Sequence, residues 1–226
     1  MPNSLFITAL YSFAFLALFA IAEVLHLWLK IKAEWTRKLV HATSGLIALT
    51  FPLYLDNHWN ILFLTVSFVF ILVISLKFDF LRSINNVTRV THGSVIFPLV
   101  IYGCFFTYNI SSQTIYFYIP LIILAIGDPI ANIVGKKIPI RPYVNFGHTK
   151  TMSGSLGFLI AALICSFLFL EAIDKWSTTF NLIVALSISI ISTTVEAFSH
   201  RGFDNLSIPL SCIFVLFIFD YFIFVL

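Results

Sequence analysis

An all-α bundle of membrane-crossing helices is the fold class this sequence predicts, on three observations. Of its 226 residues, 60% are hydrophobic and 10% charged, against about 25% charged in an ordinary soluble domain. The apolar residues, 26 Phe among them, fall in runs long enough to cross about 30 Å of hydrocarbon as helix. The connectors between the runs are short, so consecutive helices should be antiparallel neighbours whose backbone groups are satisfied within each segment.

The runs cover residues 4–29, 38–55, 59–76, 92–108, 114–135, 153–171, 179–198 and 206–226. They predict about eight transmembrane helices in a single integral membrane domain, 1–226. The first run has neither the basic leader nor the small-residue cleavage site of a signal peptide, so it reads as a retained span. The second opens on the basic flank of WTRKLVHATSG, the fourth follows Arg89 and His92, and the fifth runs into GDPIANIVGKK. The sixth starts in GHTKTMSGSLG, the seventh ends at Glu196, and the eighth begins at Asp204 and Asn205.

Twelve of the thirteen Lys and Arg lie in the connectors 30–38, 77–91, 136–150 and 199–205; only Lys175 lies in another. Positive residues accumulate on the cytoplasmic side, which predicts those four loops inside and both termini outside. The net charge of +3 and the lack of a basic block argue against a nucleic-acid partner. Cys104, Cys165 and Cys212 show no C-x-x-C spacing and read as small apolar residues.

The polar residues gather at the same face. In GDPIANIVGKK a helical period puts Gly127, Ala131 and Gly135 on one stripe and Asp128, Asn132 and Lys136 on the next. The small stripe permits close approach of a helix or ligand. Asp128 before Pro129 reads as an N-cap, which predicts a break in the fifth helix. Five of the nine glycines lie between Gly127 and Gly157, and the Gly/Ser-rich start of the sixth helix, with Lys150, suits phosphate oxygens. Neither GxxxxGK[ST] nor GxGxxG is present, so soluble nucleotide folds are not indicated.

Asp128, Glu196 and Asp204 can meet at one mouth, and magnesium favours one or two carboxylates plus phosphate oxygens. The plainer reading has Asp204 capping the eighth helix and Glu196 pairing with Arg201 or His200. Arg37, His41 and Gly45 share a face of the second helix, where Arg37 suits phosphate and His41 a phosphate or hydroxyl. Glu23 and His26 read as facing the bundle or the nearby basic loop, and Asp220 as reaching the outer interface. A transporter would carry its polar groups near the midplane; these are shallow and one-sided, which favours a site open to cytosolic solutes.

Four blocks, RKLVHATSG, GDPIANIVGKK, KTMSGSLG and EAF…GFDNLSIPL, spanning Arg37 to Leu210, together resemble the polytopic diacylglycerol and polyprenol kinases, a family that includes dolichol kinase, phytol kinase and CTP-dependent diacylglycerol kinase. The resemblance implies transfer of a terminal phosphoryl group, from CTP or ATP with Mg²⁺ or another divalent cation, to the hydroxyl of a membrane lipid alcohol. It places Asp128, Lys150, Gly154, Ser155, Asp204 and Asn205 on motif positions. Ser153 stands where dolichol-type members tend to carry an acid, which leans toward the prenol or phytol branch.

Residues and resemblance together give the expected site. Asp128, Glu196 and Asp204 are the metal candidates. Arg37, Asn132, Lys136, Lys150, Thr151, Ser153, Gly154, Ser155 and Asn205 are the nucleotide candidates. Asp128 and His41 are the candidate bases, with Lys150 as a catalytic cation. The alternatives are nucleotidyl transfer, as in a phosphatidate cytidylyltransferase, and a non-enzymatic transporter.

Overall fold

The computed structural model describes residues 4–55, 57–78, 80–86, 92–145, 148–173 and 176–225; Arg89, Gly147 and Lys175 lie outside them. The chain is almost entirely helical: α1 (Ser4–Leu27), α2 (Ala33–Ala48), α3 (Phe51–Tyr54), α4 (His58–Phe78), α5 (Arg82–Asn85), α6 (Gly93–Ser111) and α7 (Ile115–Ile122). A π-helical turn (Ile123–Gly127) joins α7 to α8 (Asp128–Lys137). A hairpin of β1 (Pro142–Asn145) and β2 (His148–Thr151) follows, then α9 (Met152–Ala172), α10 (Thr178–Phe198) and α11 (Asp204–Val225).

Among the described residues, seven helical stretches are long and apolar enough to cross a membrane: α1, α4, α6, the continuous Ile115–Lys137, α9, α10 and α11. They form a polytopic all-α bundle whose outward faces are Leu, Ile, Val and Phe. The eighth expected span is the exception. Its α2 has 16 residues and carries Glu34, Arg37, Lys38 and His41.

Two hydrogen-bonded ends fix the course of α2. At one, Thr36 Oγ1 donates to the Ser83 carbonyl at 2.6 Å. Glu23 of α1 accepts from the backbone N–H of Arg82 and Ser83 at 3.2 and 3.0 Å. At the other, the Tyr11 and Thr50 hydroxyls are 2.6 Å apart. Thus α2 runs antiparallel to α1, and α3 continues it toward the amino-terminal end of α1. Glu23 therefore caps α5, and His26 donates to the Ile31 carbonyl at 2.8 Å. Asp220 accepts from the Tyr116 hydroxyl at the start of α7 at 2.7 Å.

The predicted break at Asp128 is corrected. Asp128 has φ −63° and ψ −46° and continues the helix; the irregularity is the π turn immediately before it. Pro129 has no N–H to donate one turn back, so the preceding carbonyls lose a helical partner and the turn widens. Close packing holds the widened turn: a Cβ on Gly45 of α2 would stand 2.7 Å from Ala125 Cβ.

The small stripe of α8 packs on α9. A Cβ on Gly154 would meet the Ala131 carbonyl oxygen at 2.8 Å, one on Gly135 would meet Thr151 Oγ1 at 2.7 Å, and one on Gly127 would meet the Phe158 ring at 3.1 Å. Small residues let the two backbones approach, as in other membrane helix pairs. The adjacent stripe, Asp128, Asn132 and Lys136, is thereby turned toward a cavity.

Candidate active site

That cavity has a volume of about 310 Å³ and two unlike ends. Its mouth is polar, lined from α2, the start of α6, α8, β2, the start of α9 and the α10–α11 connection. Its inner arm is lined by Phe, Leu, Val and Ile from α1 to α6. Nine charged residues reach the mouth: Arg37, Lys38, Lys136, Lys150 and Arg201 against Glu34, Asp128, Glu196 and Asp204. Mixed charge of this kind suits a metal-bridged polyanion better than a bare anion.

The three carboxylates predicted to meet do share this one space, together with Lys150. Asp128 lies close enough to Asp204 and Glu196 for their charges to repel, with Lys38 and Lys150 as opposing cations. Among the described residues no group of three His, Cys, Asp or Glu closes into a preformed metal cage. The donor set still fits a divalent cation held by one or two carboxylates and the ligand's own phosphate oxygens. Glu196 Oε2 supports this fit, since it is buried and without a protein partner.

Lys150 is placed by the hairpin, which occupies the basic connector between the fifth and sixth apolar runs. β1 pairs antiparallel with β2, with Tyr143 opposite Lys150. The hairpin is moored at four points. Asn145 Nδ2 donates to the Ala197 carbonyl at 3.0 Å, and the Tyr143 and Ser155 hydroxyls are 2.9 Å apart. The Ile140 N–H donates to Ser153 Oγ at 3.3 Å, and the Met152 N–H to the Arg141 carbonyl at 3.2 Å.

So anchored, Lys150 Nζ donates to Glu196 Oε1 at 2.6 Å and also to the Glu196 carbonyl. The second contact sets a cation at the negative end of α10, where its dipole favours positive charge. An ammonium has three donors; two are used, leaving one for a ligand. Glu196 thus pairs with Lys150, not with Arg201 or His200.

The start of α9 differs from an open phosphate cradle. Thr151 Oγ1 caps it by accepting from the Gly154 N–H at 3.1 Å, and the Met152 N–H is also occupied. Ser153 donates to the Ile138 carbonyl and lies 3.2 Å from Thr151 Oγ1; it does not line the cavity. Thr151, Gly154 and Ser155 do line it. Of the amides from Ser153 to Ser155, that of Gly154 is thus taken by the cap, and the two serine hydroxyl groups brace the hairpin.

Other predicted residues fall into place with distinct surroundings. Lys136 pairs with Glu34 at 2.5 Å at the rim, both side chains about 40% exposed. Asn205 Nδ2 donates to the Gly93 carbonyl at 2.8 Å, and the His92 N–H to the Arg201 carbonyl at 3.0 Å; these bonds tie the start of α6 to that of α11. Gly93 is needed there, because a Cβ would stand 2.8 Å from Asn205 Nδ2. The Asp204 carboxylate accepts from the Asn205 N–H at 3.0 Å. Arg37 and Asn132 line the mouth, and Asn132 Oδ1 is buried without a protein partner.

His41 stands where the mouth meets the inner arm. Its ring is 4.1 Å from that of Phe97, it lies against the Leu124 carbonyl in the π turn, and its Nε2 is buried without a protein partner. The lining also includes residues missed in the sequence: Lys38, Ser94, His148, Thr149, His200 and Arg201. The His148 and His200 rings are roughly parallel at 6.1 Å. Their one available signal was position, since all six lie in or beside the four basic connectors.

In sequence the chain is 30% identical over 192 residues to a phytol kinase from Synechocystis sp., a match covering 84% of this chain and 81% of that protein. No protein-family model matches the chain, and no solved structure matches it significantly.

Proposed function

Because the chain belongs to the polytopic lipid-kinase family that includes phytol kinase, we propose that it transfers the terminal phosphoryl group of a nucleoside triphosphate, CTP in preference to ATP, to the hydroxyl of a membrane lipid alcohol. The single observation that carries this reading is the two-ended cavity: a charged mouth opening directly into an aromatic arm. A lipid alcohol has the same two-part character. Its hydroxyl belongs where the two ends meet, beside Asp128 and His41.

Phosphoryl transfer depends chiefly on positioning and on neutralising phosphate oxygens. Asp128 and Asp204, with Glu196 Oε2, are the residues that would hold a divalent cation, which supplies charge neutralisation when bound. Lys150, with its third donor, and Arg37 hold the terminal phosphates, while Asn132, Asn205, Thr151, Gly154 and Ser155 shape the wall around them. Lys136 adds charge at the rim. Asp128 takes the proton from the attacking hydroxyl; His41, whose other ring nitrogen donates to the Leu124 carbonyl, offers Nε2 as an acceptor at the same place and is the second candidate base. The oxygen–phosphorus bond to the acceptor forms as the bond to the nucleoside diphosphate breaks.

The site faces the cytoplasm in this reading, with both termini outside. The cluster of basic connectors supports that orientation, as does the course of α2 and α3 alongside α1, which serves as an eighth crossing. The test is purified protein with γ-labelled CTP or ATP, Mg²⁺ and a panel of lipid alcohols, beside Asp128→Asn. Labelled lipid phosphate and free nucleoside diphosphate are expected from the native protein. Pyrophosphate release would point to nucleotidyl transfer, and binding without turnover to a transporter.

A further inference from the structure

The inner arm of the cavity is closed at its far end, and what closes it is aromatic. Phe15, Phe51 and Phe68 line the arm and meet edge to face, Phe15–Phe51 at 6.2 Å and Phe15–Phe68 at 5.2 Å between ring centroids. Tyr11 stands behind Phe51 at 4.9 Å, locked by its hydroxyl contact with Thr50. Phe51 and Leu64 are only 2% exposed, and Leu55 and Ile61 behind them 1% and 0%, so the arm has no exit to lipid there.

The depth is set by helix geometry. Phe68 and Leu64 lie ten and fourteen residues before the Phe78 end of α4, or about 15 and 21 Å at the usual helical rise. The arm therefore ends about half to two-thirds of the way across a hydrocarbon layer about 30 Å thick. Its whole volume, mouth included, is at the bottom of the roughly 300–1,000 Å³ range of small-molecule sites.

We propose that Phe15, Phe51 and Phe68 form a chain-length stop for the acceptor's tail, so that the preferred acceptor is a short single-chain isoprenoid alcohol rather than a long polyprenol or a two-chain diacylglycerol. The stop rests on the lipid-kinase reading above and adds to it the residues that measure the tail. Edge-to-face rings in fixed rotamers give a firm wall, whereas flexible aliphatic side chains would yield to one more isoprene unit.

The test measures kcat/KM for farnesol, phytol, a long polyprenol and diacylglycerol, with the native protein and with Phe68→Leu, Phe51→Leu and Leu64→Phe. The native protein should favour farnesol and phytol over the other two. Each Phe→Leu change should raise the polyprenol-to-farnesol ratio about tenfold, the scale of a pocket altered by a few carbon atoms. Leu64→Phe fills the arm instead and should lower the phytol-to-farnesol ratio; its opposite sign keeps the test informative if a Phe→Leu variant fails to fold. Native turnover with ratios unchanged in all three variants would overturn the stop alone. Absence of turnover by the native protein on every alcohol with either nucleotide would overturn the kinase reading and the stop with it.

Discussion

The mouth and the inner arm of one cavity are built on different principles. The mouth, drawn mainly from α8, the hairpin, α9 and the ends of α10 and α11, is held by directional contacts: Lys150 to Glu196, Asn205 to Gly93, Asn145 to Ala197. The arm, drawn from α1 to α6, is held by ring packing around Phe15, Phe51 and Phe68. Removing a polar partner leaves a buried group unsatisfied, and the cost is concentrated at that residue. Removing part of a ring is shared among its neighbours and alters shape more than chemistry. Substitutions in the mouth should therefore change rate, and those in the arm should change preference among acceptors.

The largest effect is expected at Asp128. Asp128→Asn keeps the shape and removes the charge, and kcat should fall at least about a hundredfold, the scale of losing one preorganised electrostatic contact, with the melting temperature in detergent little changed. A fall below tenfold would remove Asp128 from the chemistry and erase the proposed division of the cavity.

Next is the Lys150–Glu196 pair, whose side chains are 19% and 8% exposed. Lys150→Met leaves a buried carboxylate alone and should destabilise by about 3 kcal/mol or more. Adding Glu196→Gln should restore much of that stability without restoring turnover. Equal melting temperatures for the single and double variants would show that the pair does not hold the hairpin to α10.

A smaller change is expected for His41→Gln, at the junction of the two ends. Loss of this acceptor beside the attacking hydroxyl predicts a roughly tenfold fall in kcat with nucleotide KM unchanged. A change confined to nucleotide KM would move His41 from the junction into the mouth.

The smallest effects belong to the rim and the hairpin brace. Lys136→Ala breaks a half-exposed ion pair and should change stability by no more than about 1 kcal/mol. Ser153→Ala, whose hydroxyl lies outside the cavity, should cost about 1 kcal/mol and leave nucleotide KM where it was. A rise in nucleotide KM for Ser153→Ala would return Ser153 to the nucleotide site.

The mouth was largely legible because charge is rare in this chain. Where 10% of residues are charged, an Asp or Lys beside an apolar run stands out, and Asp128, Lys150, Glu196 and Asp204 were all found in that way. Local contacts could not be found so. The pairing of Lys150 with Glu196 spans 46 residues and depends on a hairpin whose four-residue strands give no periodic signal. Ser153 looked like part of a phosphate cradle because Gly and Ser are common at such sites; its hydroxyl instead braces the backbone around Ile138. The arm left no sequence mark at all, because Phe51 and Phe68 are indistinguishable by type from the chain's many lipid-facing phenylalanines.

The sequence by itself determined that this is a polytopic helical membrane protein, since apolar runs of that length have few other ways to satisfy their backbone groups. It also determined which residues are polar enough to matter, since ionised groups are tolerated beside hydrocarbon only where something compensates them. The tertiary structure alone decided that α2, too charged for a free span, lies against α1 with its polar face to a cavity. It also decided that Pro129 widens a turn instead of ending a helix, and that one set of phenylalanines closes a pocket while others fill the core or lie on the outward faces. Those outcomes depend on which distant surfaces meet, and contact between segments far apart in the chain is a property of packing that no local run of residues encodes.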